Sequence, residues 1–406
     1  MFWRDSSASG AFPTPHSYFL TPPKAMNDEL LKTCAELRAI GADGAVIGSV
    51  ENVTYVTNVE QPLPYGALAS TTVAPWLAIV SSKEERGIVL APEGKVAELE
   101  ANAPGFETIG FPTFDSFVAT DARARYTEGL TQALKTLGLD AEKATIAVES
   151  AWVPIMAGTL IRGRQIEAAE IMRTARWIKT EREIGLLRQA SHLADVAHTT
   201  LARLCETAGQ NEISMYAEIA NQVFQAAGHD IPLSGELVTG PRSSVVLYPN
   251  GPRNRVTETG DAALMDLSGR CDGYWFDCTN THIIAGRPTP QEKRFAKASQ
   301  DACEAAMAAL KPGGKACDAA NAAEAAFAKH GLPMAHYAGH QIGVSVNELP
   351  RLVPYDHSII EPGMVFAVEP GAYQGEEGGF GARSEKMVLV TESGPEILST
   401  FAWGIS

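Results

Sequence analysis

No two of the six cysteines in this 406-residue chain stand at C-x-x-C spacing. Cys34, Cys205, Cys271, Cys278, Cys303 and Cys317 are scattered, and a chain of this length needs no staples to hold a core. That spacing excludes a disulfide framework or a cysteine–zinc module, and predicts reduced thiols in a cytoplasmic protein. Long apolar runs are lacking too. No segment approaches the roughly 18 uninterrupted apolar residues of a membrane-spanning helix. The opening residues, MFWRDSSASGAFPTPHSYFLTPP, show no basic head followed by an apolar stretch, so no secretory signal is expected. Positive charge is scarce: 33 Lys and Arg stand against 48 Asp and Glu, a formal net charge of −15. Nucleic-acid phosphates need a basic footprint, and none is visible. Short-period repeats and low-complexity tracts are missing as well.

What is present is globular: 45% hydrophobic and 20% charged residues over a length that predicts two domains. Residues 1–24, rich in proline and aromatics, read either as an extended arm packed on another surface or as a loose tail. From Asn27 a helical pattern runs through Leu30, Leu31, Cys34, Leu37 and Ile40 to a stop at Gly41. Short apolar runs at 45–47, 76–80, 87–90 and 146–148 read as buried strands, with a helix over 127–137 between the last two. An α/β domain over 25–165 follows from this alternation. Beyond it, 181–205 and 212–227 read as long amphipathic helices, 237–284 as a strand-rich block, and 291–310 and 315–330 as Ala-rich helices. The chain then returns to strands from Pro333. An α+β domain over 166–406 is expected, with helices covering one face of a mainly antiparallel sheet.

Four segments carry chemistry. In Leu264-Met-Asp-Leu-Ser-Gly-Arg-Cys-Asp-Gly-Tyr-Trp-Phe-Asp277, apolar strands flank a glycine-containing turn. A hairpin symmetric about the Cys271–Asp272 bond would set Asp266 directly opposite Asp277, with Cβ atoms about 4.5–5.5 Å apart on one face. Two carboxylates that close need a cation or a proton between them, unless both are turn residues in water. The second segment, His336-Tyr-Ala-Gly-His340-Gln-Ile-Gly, offers an imidazole, either a metal ligand or a structural histidine beside a turn. In the third, Glu369 ends the apolar strand Met364–Val368 before Pro370; in the fourth, Glu385 opens the apolar strand that runs to Val390. An acidic residue there is costly to bury unless compensated, and each taken alone is also an ordinary strand-end charge.

In this order, these segments resemble the pita-bread metallopeptidase family, in its prolidase, aminopeptidase P and creatinase branch. The shared pattern is an Asp, a second Asp 11 positions on within GY-x-x-D-x-T, a GHxxG histidine, an E-P strand end and R-x-E. Here these are Asp266, Asp277 with Gly273, Tyr274 and Thr279, His340, Glu369-Pro370, and Arg383 with Glu385. Arg176–Ile184 is similar to the segment that opens the catalytic domain in that branch. The resemblance implies a creatinase-like N-terminal α/β domain, a pita-bread catalytic domain and two divalent metal ions. It assigns Asp266 to one ion, His340 and Glu369 to the other, and Asp277 and Glu385 as bridges. Manganese suits four carboxylates and one imidazole, with iron, cobalt or zinc as alternatives. Glu369 would also pass a proton. A homodimer is implied too, with Tyr65 in the Val59–Ser70 loop as a candidate lid residue.

The chain also departs from the family. No histidine occurs between His229 and His282, where the branch carries a substrate-side one, and Tyr248 stands in that stretch. Asn347 occupies the position of a second, seven residues after His340, and Asn280 that of a frequent arginine. His336 and Arg383 are retained. Neither a tyrosine nor an amide titrates near neutral pH, so neither shuttles a proton as histidine does. Two activities are therefore expected in competition, with a catalytically inactive binding module as a third reading. One is a peptidase acting on small peptides. The other is a non-peptidase enzyme, an amidohydrolase or a lyase, acting on a small carboxylate-bearing substrate with His336, Arg383, Tyr248 and Asn347 around it.

Overall fold

A computed structural model describes residues 27–65, 74–247 and 250–405. The expected arm at 1–24, residue Tyr248 and part of the candidate lid loop lie outside that range. Tyr65 is inside it and exposed.

The N-terminal layer begins with a helix, Asp28–Ala39, whose first turn is capped by the Asn27 side chain accepting from the Leu30 amide. Six strands follow: β1 (Gly44–Ile47), β2 (Leu77–Ser81), β3 (Arg86–Pro92), β4 (Phe106–Phe111), β5 (Thr145–Val148) and β6 (Arg164–Glu167). They form one mixed sheet in the order β4-β3-β2-β1-β5-β6. β1 and β2, buried along their whole length, occupy its centre. Because β6 pairs in parallel with β5 over Arg164–Glu167, the layer runs past the expected limit at residue 165. The helix Ala169–Ala175 also stays with this layer, its last carbonyl accepting from Tyr55 Oη at 2.7 Å.

Two sheets build the C-terminal layer. β7 (Leu233–Thr239), β8 (Ala262–Cys271) and β9 (Tyr274–Ile283) form an antiparallel three-stranded sheet. β10 (Gly339–Gln341), β11 (Glu348–Arg351), β12 (Val365–Val368), β15 (Lys386–Thr391) and β16 (Gly394–Ile397) form a five-stranded one in the order β11-β10-β12-β15-β16. A short pair, β13 (Gly371–Tyr373) with β14 (Gly381–Arg383), lies between β12 and β15 in sequence. The helix Glu181–Leu204 packs on β8 and β9, and Glu212–Ala227 on β7. Pro290–Ala309 and Ala316–Lys329 pack on each other and share a core with β12 and β15. Their alanines at 298, 302, 306, 319, 320 and 323 are all buried, and such small side chains permit the close approach. The helix starts are written locally: Thr180 with Glu183 and Thr289 with Glu292 both form capping boxes. The C-terminal layer is held together where β9 meets the β14–β15 segment. There the Glu385 amide donates to the Thr279 carbonyl at 3.0 Å, and the Arg383 amide to Thr281 Oγ1 at 3.2 Å.

The β8–β9 turn corrects one expectation. Its tip is Asp272-Gly273, with φ of 50° and 85°, the two positive values that a type I′ hairpin turn requires. Cys271 therefore pairs with Tyr274, Ser268 with Asp277, and Asp266 with Thr279. Asp266 and Asp277 share a face but are diagonal neighbours, not directly opposed.

Candidate metal centre

Each expected ligand lies on a strand or directly beside one. Asp266 and Asp277 project from the same face of the β8–β9 hairpin, and His340 from the middle of β10. Glu369 follows β12 directly, and Glu385 precedes β15. Gly339 makes the His340 placement possible: its φ is 148°, and a Cβ there would lie 2.1 Å from the Ala367 carbonyl oxygen. Only glycine lets β10 come that close to β12.

His340 Nδ1 is 3.0 Å from the Gln341 carbonyl oxygen, which can only accept, so Nδ1 carries a hydrogen. This turns Nε2 inward, 3.6 Å from Asp277 Oδ2 and 3.3 Å from Glu369 Oε1. Asp277 Oδ1 accepts from Ser268 Oγ at 2.9 Å, and Glu385 Oε2 from Thr279 Oγ1 at 2.6 Å. One donor atom each from Asp277, His340 and Glu385 lie within 4.8 Å of one another. Asp266 stands slightly apart, its Oδ2 accepting from Arg383 Nη2 at 2.8 Å. Two buried carboxylate oxygens, Asp266 Oδ1 and Glu385 Oε1, have no hydrogen-bond partner.

The electrostatics fit a cation. Burial, reinforced by the neighbouring carboxylates, pushes Asp266 well above the usual carboxylate range against the pull of Arg383. Burial and then Asp277, Glu369 and Asp266 push Glu385 the same way. Burial works against the His340 cation, yet Asp277 and Glu369 outweigh it and hold the imidazolium up to about 10. Glu369 gains in return: burial disfavours its charge, but His340, Arg383 and His336 bring its carboxyl below the ordinary value. Four neighbouring carboxylates, two with an orphaned oxygen, are a hard-donor set that divalent cations satisfy and protons satisfy only in part.

The remaining expected residues are placed as follows. Asp266, Asp277, His340 and Glu369 line a cavity of about 340 Å³, and His336, Asn347 and Arg383 line it too. His336 Nδ1 is 3.0 Å from the Tyr337 carbonyl oxygen and Nε2 is 3.3 Å from Tyr373 Oη. Burial keeps the His336 ring toward the neutral form, with Glu369 opposing and Arg383 adding to the effect. Asn347 is exposed at the rim, its Nδ2 3.4 Å from Tyr337 Oη. Arg383 is buried and committed to protein partners. Nε donates to Thr279 Oγ1 at 3.1 Å and Nη1 to Tyr373 Oη at 3.1 Å, while Nη2 serves Asp266 and Glu236. Its guanidinium thus braces the hairpin carboxylates.

Sequence reasoning missed Glu236, Ser268, Tyr337 and Tyr373. Glu236 was findable: it is a buried carboxylate in β7 beside the apolar pair Leu237–Val238, paired in register with Asp266. Tyr337 and Tyr373 carried no signal beyond standing next to His336 and four residues after Glu369. All six cysteines are free and buried, and Cys278 faces the core away from the donor set.

Fold and donor set together define a pita-bread enzyme of the divalent-metal type. The chain belongs to metallopeptidase family M24, whose model matches residues 185–392, and it carries a Creatinase/Prolidase N-terminal domain matching residues 30–184. It is 28% identical over 363 residues to the uncharacterized peptidase YqhT of Bacillus subtilis, covering 87% of this chain and 93% of that protein. It is 26% identical over 382 residues to the Xaa-Pro dipeptidase of Pyrococcus horikoshii, covering 92% and 97% respectively. In structure it superposes on a dipeptidase from Pyrococcus horikoshii OT3 with a TM-score of 0.75 at 23% identity, over 93% of this chain and 99% of that one. That likeness speaks to the fold. No described helix is long and apolar enough to cross a membrane.

Proposed function

We propose that this chain is a dinuclear metallopeptidase that hydrolyses the C–N bond of small peptides, as a cytoplasmic homodimer. The observation that carries the reading is a cavity of about 340 Å³ lined by Asp266, Asp277, His340 and Glu369, with a buried Glu385 donor within 4.8 Å of those of Asp277 and His340. That volume is at the low end for ligand pockets and suits a dipeptide-sized substrate. Asp266 would hold one ion, His340 and Glu369 the other, with Asp277 and Glu385 between them. Manganese is the proposed ion, with iron, cobalt and zinc its competitors. Bound there, the two cations supply Lewis acidity and the means to activate water near neutral pH.

The chain's own residues do the rest. Glu369, kept ionised by His340, is placed to take a proton from attacking water and return it to the leaving amine. Arg383, through Asp266, Glu236 and Thr279, fixes the carboxylates from the cavity wall. Tyr373 receives a hydrogen bond from Arg383 and orients the His336 ring toward the cavity. Asn347 donates to the substrate, and Tyr248 is assigned a similar contact from sequence alone. Without two of the branch's histidines, turnover of Xaa-Pro substrates falls by the about 10²–10⁴-fold that a lost acid–base group costs.

Manganese-loaded protein assayed against a panel of dipeptides, with and without proline in the second position, tests this. Metal-dependent hydrolysis, slower for the Xaa-Pro members, is the expected result. Two bound metals with no peptide hydrolysed at all would move the assignment to amidohydrolase or lyase chemistry. Sedimentation at micromolar concentration tests the dimer.

A further inference from the structure

The connector between the two domains carries Arg176 and Lys179, and both meet Glu348, which follows Asn347 on the cavity rim. Glu348 is buried between them: Arg176 Nη2 donates to one oxygen, and Lys179 Nζ donates to the other at 2.9 Å. The Ser345 amide donates to Glu348 Oε1 at 3.1 Å, and Arg176 Nη2 also donates to Ser345 Oγ at 2.6 Å. Residues 343–348 are thereby drawn into a tight loop, in which a Cβ on Gly343 would lie 2.8 Å from the Glu348 carboxylate. Val346 and Asn347 of that loop line the cavity. Lys179 Nζ further donates to Gln341 Oε1 at 2.9 Å, tying in the residue after His340.

In the other direction the chain of contacts enters the N-terminal domain. Arg176 Nη1 donates to Asn52 Oδ1 at 2.8 Å, and Asn52 Nδ2 donates to Glu149 Oε1 at 2.7 Å. Glu149 is itself fixed by the amides of Gly48 and Ser49 at 2.9 and 2.8 Å. An unbroken polar relay, Glu149–Asn52–Arg176–Glu348, thus joins the end of β5 to the cavity wall. Buried ion pairs are an inefficient source of stability, but they fix geometry well. Here the geometry they fix is that of two cavity-lining residues.

We propose that Glu348, Arg176 and Asn52 are positioning residues through which the N-terminal domain holds the Val346–Asn347 wall and so sets substrate affinity. The consequence for affinity rests on the peptidase reading above; the coupling between the domains does not. Asn52→Ala breaks the relay at its middle, freeing Arg176 Nη1 from the N-terminal domain while Glu348 keeps both Arg176 and Lys179. In this variant, with metal content unchanged, KM for a dipeptide should rise about tenfold, the effect of one lost charge-assisted hydrogen bond. The kcat should stay within about threefold. Amide hydrogen exchange across residues 343–348, followed by mass spectrometry, should accelerate. Arg176→Lys, which keeps the charge toward Glu348, should fall between wild type and Arg176→Ala in both measurements, and it carries the test if Asn52→Ala does not fold. Unchanged exchange in a folded Asn52→Ala protein would overturn the coupling. Faster exchange with unchanged KM would overturn the role in substrate affinity. Wild-type protein inactive on every dipeptide would sink the peptidase reading, while the exchange data would still decide whether the N-terminal domain holds this loop.

Discussion

Thr279 stands at the crossing point of the centre, and Thr279→Val isolates what it does. Its hydroxyl donates to Glu385 Oε2 at 2.6 Å and accepts from Arg383 Nε at 3.1 Å, and the residue is fully buried. Valine keeps the shape and removes both bonds, so the change tests polarity and not packing. The other Glu385 oxygen has no partner, and the carboxylate would be left with no hydrogen bond at all. A hydrogen bond to a charged group contributes about 1.5–3 kcal/mol, which corresponds to roughly 10- to 100-fold in an equilibrium constant. Losing an outer partner of a metal ligand typically costs about 10–100-fold in affinity, so the two routes agree. Manganese affinity should therefore fall by about one to two orders of magnitude in Thr279→Val, and stay within about threefold of wild type in Thr279→Ser. Competition against a chelating indicator dye at fixed pH measures both, with dipeptide hydrolysis run alongside. If the valine variant bound manganese as tightly as wild type, Glu385 would not be a ligand oriented by this hydroxyl, and the bridging assignment would fall.

Asp277→Ala or Glu385→Ala should lose both ions, because each removes a bridge; two metals per chain retained in either variant, by elemental analysis, would refute the ligand set. Metal removal by a chelator should lower Tm, since a site held at 100-fold over Kd contributes about 2.7 kcal/mol; a Tm indifferent to manganese would contradict the fit. Burial opposes the Glu348 charge, but Arg176 and Lys179 prevail and hold its carboxyl at about 2, below the ordinary value of about 4.5. A depressed folded value means this contribution is complete above the unfolded pKa and is lost as pH falls from about 4.5 through about 2. Acid unfolding of Glu348→Gln, followed by circular dichroism, should therefore be flatter across that window than that of wild type. His336→Ala should lower kcat more than metal content, and Asn347→His should raise hydrolysis of Xaa-Pro dipeptides; the reverse order in steady-state assays would argue against their substrate-side roles.

Elements with strong local signals were legible from residues alone. The helix Glu212–Ala227 has the expected limits, and Glu181–Leu204 and Pro290–Ala309 differ from expectation by a residue at their ends. Amphipathic periodicity and capping residues agree in each of them. Elements without such agreement were missed. Val50–Thr57 reads VENVTYVT, rich in β-branched residues that favour strands, and it is helical because the Ser49 cap and burial on the first sheet override propensity. β4, FETIGF, and β6, RQIE, are the two edge strands of that sheet, partly exposed, and neither shows a continuous apolar run. Missing β6 is why the expected domain limit fell inside a strand.

The proposed metal residues were found for a different reason, and the hairpin shows why a wrong register did not move them off their shared face. Centring the turn one residue too early changes every cross-strand pairing by two positions. Side chains alternate faces with a period of two, so an even slip leaves each residue on its own face, while an odd slip would have sent Asp266 or Asp277 into the core. What the slip hid was chemistry at shorter range. With Asp272-Gly273 at the tip, the residue opposite Asp277 is Ser268, whose hydroxyl donates to it at 2.9 Å, and the residue opposite Asp266 is Thr279, which donates to Glu385. Each hairpin carboxylate thus faces a hydroxyl across the strands, and the diagonal leaves space between the two for a cation. Directly opposed carboxylates would have repelled each other with no donor between them. The Asp-Gly pair, the strongest short hairpin signal in the segment, held the information needed to see this: only a two-residue turn at that pair puts positive φ on residues able to adopt it.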